Sequence, residues 1–362
     1  MPMLTVIILQ YRPDFAALRR TLASLAMQTT RDFEVVVADD GSEQDYFAET
    51  KAYLEGHGIH PAAFVKAEKN GGTVKNLLGG LRRSTGRWVF APSPGDYLYD
   101  ADTLRWLLET LQRDEPRVGF GGLAAYCERA GTPCQLPGDT PFDKAPYQPG
   151  RYDAARAKRN MLLYDDGICG AALFYERELL ENTLTKMQDR VLLAEDFSAR
   201  LFTVEKIPIV HYDRLITWYE MGTGVSTDKT AASEARMLRD WRAMLTLLRG
   251  LYPQDRLVRL AWEYYHNDRR KSRLVRGLVG RLVVPQNCAF KKAQRNWQPP
   301  VNGDLAELKK IYAYAATGAL GAAAVLPLFA RQNQHALAYR HVQRAVDGTV
   351  GVSCLRPAET AP

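Results

Sequence analysis

Cysteine is scarce in this chain and odd in number: five in 362 residues, at Cys127, Cys134, Cys169, Cys288 and Cys354. No two stand at zinc-ligand spacing, and a scattered odd set provides no disulfide framework, so a reducing compartment is expected. Long hydrophobic runs are missing too. The nearest, Ile311 to Ala330, is rich in Ala, contains Gly318, Gly321 and Pro327, and is bracketed by Lys309, Lys310 and Arg331. That composition predicts a packed helix rather than a membrane span. The first apolar run reads as a strand, not as the core of a signal peptide, so the expected location is the cytoplasm. No Gly-x-Gly-x-x-Gly follows that strand, which argues against a dinucleotide oxidoreductase. Gln10-Tyr11-Arg12-Pro13 stands there instead, and lacks the glycine-rich basic loop a nucleotidyltransferase would need. There is no internal repeat and no nucleic-acid-binding module.

The remaining composition is that of a globular protein, with 46% apolar and 25% charged residues, long enough to bury a large core. The net charge of +7 is unevenly spread. Between Arg256 and Arg295 the chain is crowded with Arg and Lys, opposed only by Glu263 and Asp268. Such a block implies an anionic partner: lipid headgroups, a phosphorylated acceptor or nucleic acid.

Phe33-Glu34-Val35-Val36-Val37-Ala38 runs straight into Asp39-Asp40-Gly41-Ser42. A run that apolar suits a parallel strand covered on both faces. Its carboxylates then sit at the strand's C-terminal edge, where open α/β sheets bind ligands. Leu4 to Leu9 has the same build, and Phe15 to Met27 between them carries Leu18, Leu22 and Leu25 at helical spacing, so the first forty residues form a βαβ unit. Further along, the pattern predicts helices at Tyr46–Glu55, Val74–Arg83, Asp102–Arg113 (capped by Asp102 or Asp100) and Arg177–Met187. It predicts strands at Ala62–Ala67, Trp88–Ala91, Val118–Ala125, Ile207–Tyr212 and Leu215–Trp218. Gly131 to Gly150, rich in Pro, Asp and Gly, reads as a long surface loop. Leu192–Phe197 opens another helix. Beyond Thr230 the pattern is helical and basic, with a Pro/Ala-containing tail expected to be disordered.

Four acidic points recur in this framework: Asp39-Asp40, Asp96, and Glu195-Asp196, with Asn70-Gly71-Gly72 between the first two. Val6-Ile7-Ile8-Leu9-Gln10-Tyr11, Val37-Ala38-Asp39-Asp40-Gly41-Ser42, Asn70-Gly71-Gly72 with Lys75-Asn76, Ser93-Pro94-Gly95-Asp96-Tyr97-Leu98 and Glu195-Asp196 together resemble the GT-A glycosyltransferases of family 2. The resemblance covers about residues 1–230. It implies an α/β fold with a mixed sheet flanked by helices. Residues 1–230 would be the catalytic domain, with a nucleotide-binding half (1–98) and an acceptor half (99–230). Residues 231–362 would be a basic helical region with a membrane-associating surface.

The resemblance also implies roles. Leu9, Tyr11, Asp39, Asn70, Lys75, Ser93 and Gly95 would hold a nucleotide-diphosphate sugar. Asp39 would accept from the imide N–H of a uracil-type base, Tyr11 would stack on or flank it, and Lys75 replaces the arginine common in the family. Asp40 reads as a turn-shaping residue. Asn76 is as well explained by an internal hydrogen bond as by ligand contact. Where the family carries Asp-x-Asp, this chain has Ser93-Pro94-Gly95-Asp96, so only one carboxylate survives to hold Mn²⁺ or Mg²⁺. A hard cation can be held by one or two carboxylates plus substrate phosphates. His211, after a strand, is a second candidate metal ligand, although a lone histidine there is more often structural. Asp196, with Glu195 beside it, would be the general base that takes the acceptor's hydroxyl proton; an acidic first turn of a helix is the plainer reading. Trp218 to Thr227 reads as a lid over the donor, offering Thr223 and Ser226, or as an ordinary glycine-containing loop. Gly167 to Ala172 lines an acceptor cleft or packs a core.

The expected activity is therefore inverting transfer from a nucleotide-diphosphate sugar, with UDP-sugars the default donors, to a glycan or lipid-linked glycan of a surface polysaccharide such as capsule or lipopolysaccharide. The alternative is an inactive GT-A domain that binds nucleotide or glycan as an assembly subunit. The basic helices, with Trp262, Tyr264 and Tyr265, fit peripheral docking on an anionic inner membrane better than nucleic-acid binding, and a merely solvated helical face stands beside that reading.

Overall fold

The expected mixed α/β sheet flanked by helices is present. The computed structural model describes residues 2–222, 230–266, 285–317, 339–341 and 355–357. Chain order in the N-terminal part is β1 (Leu4–Gln10), α1 (Phe15–Ala26), β2 (Glu34–Asp39), α2 (Phe47–Gly56), β3 (Ala63–Lys66), α3 (Thr73–Leu81), β4 (Trp88–Phe90) and β5 (Tyr97–Leu98). There follow α4 (Thr103–Asp114), β6 (Val118–Arg129), β7 (Thr132–Leu136), α5 (Ala154–Arg159), β8 (Leu173–Glu176), α6 (Arg177–Met187), α7 (Ser198–Val204) and β9 (Ile209–Glu220). Helices α8 (Ala231–Leu251) and α9 (Arg256–His266) come next, then the helices Pro285–Asn296 and Leu305–Thr317.

The nine-stranded sheet runs β3-β2-β1-β4-β8-β6-β9-β5, with β7 hydrogen-bonded to β6. The strands β3, β2, β1 and β4 are mutually parallel. β8 runs antiparallel to both β4 and β6, and β9 lies parallel to β6. Every residue of β1 and β2 is buried, as a strand covered on both faces requires. Alternation sends Ile7, Leu9, Val36 and Ala38 into one core with Leu77 and Leu81 of α3 and Leu180 and Leu184 of α6. It sends Val6, Ile8, Val35 and Val37 into the other, with Leu18, Leu22 and Leu25 of α1 and Leu104, Leu107 and Leu111 of α4. The register pairs Gln10 with Asp39, so both strands end side by side at one edge.

Several elements differ from the sequence reading. Ile207–Tyr212 and Leu215–Trp218 are one strand, β9, whose register against β6 is irregular between Phe120 and Gly122. The charged Asp213-Arg214 pair at that irregularity breaks the apolar pattern without ending the strand, and Arg214 is held by Asp100 at 2.9 Å. Helix α4 has no side-chain cap bond. Asp102 accepts from the Thr29 hydroxyl at 2.5 Å, while Asp100 accepts from the Asp102 N–H and the Thr103 hydroxyl and so shapes the turn ahead of the helix. Gly131 to Gly150 is only partly a loop. Its start forms β7 in a hairpin with β6, and its later part is tucked inward, with Thr140, Asp143, Pro146 and Tyr147 buried. Asp166 anchors that part by accepting the N–H groups of Phe142 and Asp143. Glu195–Phe197 is a single 3₁₀ turn leading into α7.

Parts of the C-terminal region pack against one another and against the sheet. Trp262 of α9 stacks on His266 and lies under Arg249 of α8, and Tyr265 packs edge-on against Trp241, so these aromatics bind helix to helix. The helix Leu305–Thr317 places Leu308, Ile311 and Tyr312 in a third core with Tyr97, Tyr126 and Trp218 of the sheet, Ala23 of α1 and Met27 just after it. Ile311–Thr317, the first part of the weakly apolar stretch, is thus a packed helix; 318–330 lies outside the described residues, as do the tail beyond 357 and much of the basic block. Among the described residues no helix is long and apolar enough to cross a membrane.

Candidate active site

The C-terminal ends of β1, β6 and β9, the turn after β4 and the Glu195–Phe197 turn surround a cleft of about 770 Å³. This is the crevice that a sheet changing strand order leaves open at its carboxyl edge. Leu9, Tyr11, Ser93, Asp96, Glu195 and Asp196 line it, joined by Asp40, Asn76 and Gly167 to Ala171.

The first wall is built on the Asp-Asp-Gly-Ser turn. Asp39 is buried behind the turn and does not line the cleft; its oxygens accept from the Ser42 N–H at 2.7 Å and the Gln10 amide at 3.2 Å. Asp40 accepts the N–H groups of Gly71 and Gly72, each at 2.8 Å. That grip holds the Asn-Gly-Gly loop against the strand ends, the turn-shaping role expected of Asp40. Gly72 has φ +90°, and a Cβ there would stand 2.3 Å from the Leu192 carbonyl oxygen. Asn76 donates to the carbonyls of Gln10 and Ala38, so its internal bond is real although it also faces the cleft. Asn70 and Lys75 are exposed and do not line the cleft; Lys75 reaches Asp189 at 3.5 Å.

The second wall is the Ser93–Asp96 turn. Asp96 accepts from the Ser93 N–H at 3.1 Å. Its carboxyl is pushed up to about 7, first by burial and then, against the opposing Ser93 bond, by the charge of Glu220. Gly95 has φ +103°, and a Cβ there would meet the Glu220 carboxylate at 2.4 Å, so glycine is what lets Glu220 stand beside the turn. Tyr126 donates to the Gly95 carbonyl at 2.6 Å and Thr21 of α1 accepts from the Gly95 N–H. His211 does not line the cleft. Its ring lies against Phe120, its Nε2 has no hydrogen-bond partner, and burial with nearby Lys144 pushes it down to about 4. Among the described residues no three His, Cys, Asp or Glu side chains form a metal-holding group. The donor set is Asp96 with Glu220 beside it, which fits only a hard cation completed by substrate phosphates and water.

The third wall carries Glu195 and Asp196. Gly170 makes room for them: a Cβ there would be 2.7 Å from the Glu195 carboxylate. Burial and the neighbouring Asp196 charge push Glu195 up to about 8. Burial pushes Asp196 up to about 6, with the Arg200 guanidinium one helical turn away pulling it back. Arg200 is itself buried, held by Asp165 at 3.1 Å and sandwiched between the rings of Phe197 and Trp241. Two adjacent buried carboxyls, both pushed up, in a cleft are the pattern of a proton-transfer site. Thr223 and Ser226 lie outside the described residues.

Residues 5–181 match the family model for glycosyl transferase family 2. The chain carries a family 2 glycosyltransferase domain. It is 27% identical over 190 residues to "PGL/p-HBAD biosynthesis glycosyltransferase" proteins of Mycobacterium bovis and Mycobacterium tuberculosis, a match spanning 52% of this chain and 65% of theirs. Among solved structures, Staphylococcus aureus TarS residues 1–349 with UDP-GlcNAc aligns at 16% identity and TM-score 0.46 over 94% of each chain. The Pyrobaculum calidifontis mannosyltransferase PcManGT with GDP-Man and Mn²⁺ aligns at 17% identity and TM-score 0.46, covering 87% of this chain and 81% of that one.

Arg20 and Glu128 of this glycosyltransferase cleft had no role in the sequence reading, and Glu220 entered it only within the Trp218–Thr227 lid, although it ends strand β9. Arg20 sits mid-helix in α1, and nothing in one dimension points it at the site. Glu128 and Glu220 end two long strands, the position that made Asp39 conspicuous, but without a following Gly-Ser turn to mark them.

Proposed function

We propose that this chain is an inverting glycosyltransferase that moves a sugar from a nucleoside-diphosphate donor, by default a UDP-sugar, to a hydroxyl of a glycan or lipid-linked glycan. The observation that carries this reading is the Glu195–Asp196 pair sharing one cleft with Asp96. Asp96, Cys169, Glu195 and Asp196 all line that one cleft.

Asp196 is the general base. Burial pushes the carboxyls of Glu195 and Asp196 up, and the Arg200 guanidinium pulls Asp196 back, so of the pair Asp196 is the one held toward its ionised form. It takes the acceptor hydroxyl's proton as that oxygen attacks the anomeric carbon from the face opposite the leaving diphosphate, which inverts the configuration. Asp39 and Tyr11 at the ends of β2 and β1 address the base, and the Ser93–Asp96 turn addresses ribose and phosphates. Asp96, with Glu220, would hold Mn²⁺ or Mg²⁺; the cation supplies positive charge for the departing nucleoside diphosphate. Gly167, Gly170 and Ala171, the smallest residues of that wall, leave space for the acceptor, Gly170 directly against Asp196. The relatives' names place those proteins in PGL/p-HBAD biosynthesis; for this chain the proposed acceptor is a surface glycan or lipid-linked glycan, reached by peripheral membrane contact through the basic C-terminal region.

The reduced donor set at Asp96 favours a second reading, an inactive domain that binds nucleotide or glycan in an assembly. Calorimetric titration with UDP, dTDP, GDP and CDP, each with Mn²⁺ and with chelator, separates the two when paired with a transfer assay of Asp196→Asn. A single preferred nucleotide and loss of transfer in the variant support the enzyme. Binding without turnover in the native protein supports the assembly subunit, and no nucleotide binding overturns the transferase.

A further inference from the structure

The cleft is acidic. Among the described residues lining it, Arg12 and Arg20 are the cationic side chains, against seven Asp and Glu side chains. Arg20 is the one that is built in. Its Nε donates to the Tyr97 hydroxyl at 2.9 Å and its Nη2 lies 2.6 Å from Glu128. Its guanidinium carbon stands 4.6 Å over the ring of Tyr312, whose hydroxyl in turn donates to Glu128 at 2.8 Å. The side chain is only 13% exposed, so the guanidinium is gripped along one edge and one face while Nη1 has no partner among the described residues. Thr21, the next residue, accepts from the Gly95 N–H and donates to the Asp96 carbonyl. One turn of α1 therefore fixes both Arg20 and the turn that carries Asp96.

We propose that Arg20 is the protein's own cation for the diphosphate of the donor, and that the helix Leu305–Thr317 holds it in place through Tyr312. This rests on the nucleoside-diphosphate reading above. A leaving diphosphate gathers negative charge as the bond to the sugar breaks, and fixed donors pointing at that charge stabilise it without reorganisation. A planar guanidinium matches phosphate oxygens better than an ammonium would. With a single carboxylate left at the Asp96 turn, less of the counter-charge can come from a metal. Tyr312 and Glu128 oppose the rotamer freedom that would otherwise let Arg20 swing away. Residues beyond 300 thus belong to the donor site, although the family model stops at residue 181.

The test uses the full chain and reads phosphate dependence. Binding of UDP, dTDP, GDP and CDP, of the matching nucleoside monophosphates and of inorganic pyrophosphate is measured by calorimetry, with Mn²⁺ and with chelator. Arg20→Met should lose at least tenfold in affinity for the preferred diphosphate and for pyrophosphate. It should change monophosphate affinity less than twofold, and the loss should persist in chelator. Tyr312→Phe, which keeps the ring and removes the bond to Glu128, should lose severalfold on the same two ligands. Arg20→Lys should recover part of the loss. Unchanged diphosphate binding in Arg20→Met, or an equal loss for monophosphate, overturns the assignment and leaves the transferase reading standing. If Arg20→Met does not fold, Arg20→Lys and Tyr312→Phe decide: diphosphate affinity unchanged in both overturns it. Native protein that binds pyrophosphate but no nucleotide overturns the donor reading alone, and binding of neither overturns both.

Discussion

The Asp40 carboxylate receives the backbone N–H groups of Gly71 and Gly72 at 2.8 Å each, so the residue after β2 holds the loop that enters α3. Asp40→Asn replaces one acceptor with a donor facing an N–H. The expected cost is about 1–3 kcal/mol, read as a lower urea midpoint with an unchanged slope. An unaltered midpoint would show that the loop holds itself.

Gly72→Ala tests the same junction from the other side. Its φ of +90° strains any side chain, and its Cβ would overlap the Leu192 carbonyl oxygen. More than about 1 kcal/mol should be lost, with nucleotide affinity falling alongside. Gly58→Ala, where φ is +71° but the space is open, separates backbone strain from overlap.

Removing the base should stop chemistry and spare binding. Asp196→Asn is expected to lower kcat by about 10²–10⁴-fold with donor affinity nearly unchanged. In the native protein kcat should rise with pH above the ordinary carboxyl range, as the Glu195–Asp196 pair, pushed up by burial, gives up its first proton. A flat profile from pH 5 to 7.5 would remove Asp196 from that role.

Arg200 acts through its neighbours. Arg200→Met removes the 3.1 Å ion-pair partner of buried Asp165, at a cost of about 3–5 kcal/mol. It also removes the charge that holds Asp196 down. Thermal melts should show the instability, and the kcat–pH profile of whatever folds should move to higher pH. An unmoved profile would confine Arg200 to stability.

Stability itself should fall as pH rises from 6.5 to 8.5. Asp96 and Asp166, about 7, and Glu195, about 8, hold protons in the folded state that unfolded carboxyls release near 4. Their contribution is complete below that unfolded value and is lost as pH passes the folded one. His211, pushed down to about 4, works in the opposite sense, but only up to its unfolded pKa of 6.5. Urea midpoints at pH 6.5 and 8.5 check the sign, and Asp96→Asn should flatten part of the slope.

What could be read in one dimension was local. Helix Arg177–Met187 coincides with its expected range, and β1, β2 and α1 fall within a residue or two of theirs, because apolar periodicity and turn residues encode them directly. The joined strand β9 and the inward-folded stretch after β7 were hidden. Each depends on partners far away: β6 across Gly122, and Asp166 reaching back to Phe142 and Asp143. Asp96, Glu195 and Asp196 were conspicuous as carboxylates beside turns. Arg20, Glu128, Glu220 and Tyr312 were not, since no local pattern distinguishes them from surface residues.

The amino-acid sequence alone determined the βαβ start, the carboxylates at strand ends and the glycines that let backbone approach backbone, because each is set by neighbours a few residues apart. Tertiary structure decided which of those carboxylates share a cleft. It left His211 against Phe120 and brought Tyr312 across 292 residues to Arg20. Those outcomes depend on strand order and on which faces of distant helices must be buried together, and neither is written in any one segment.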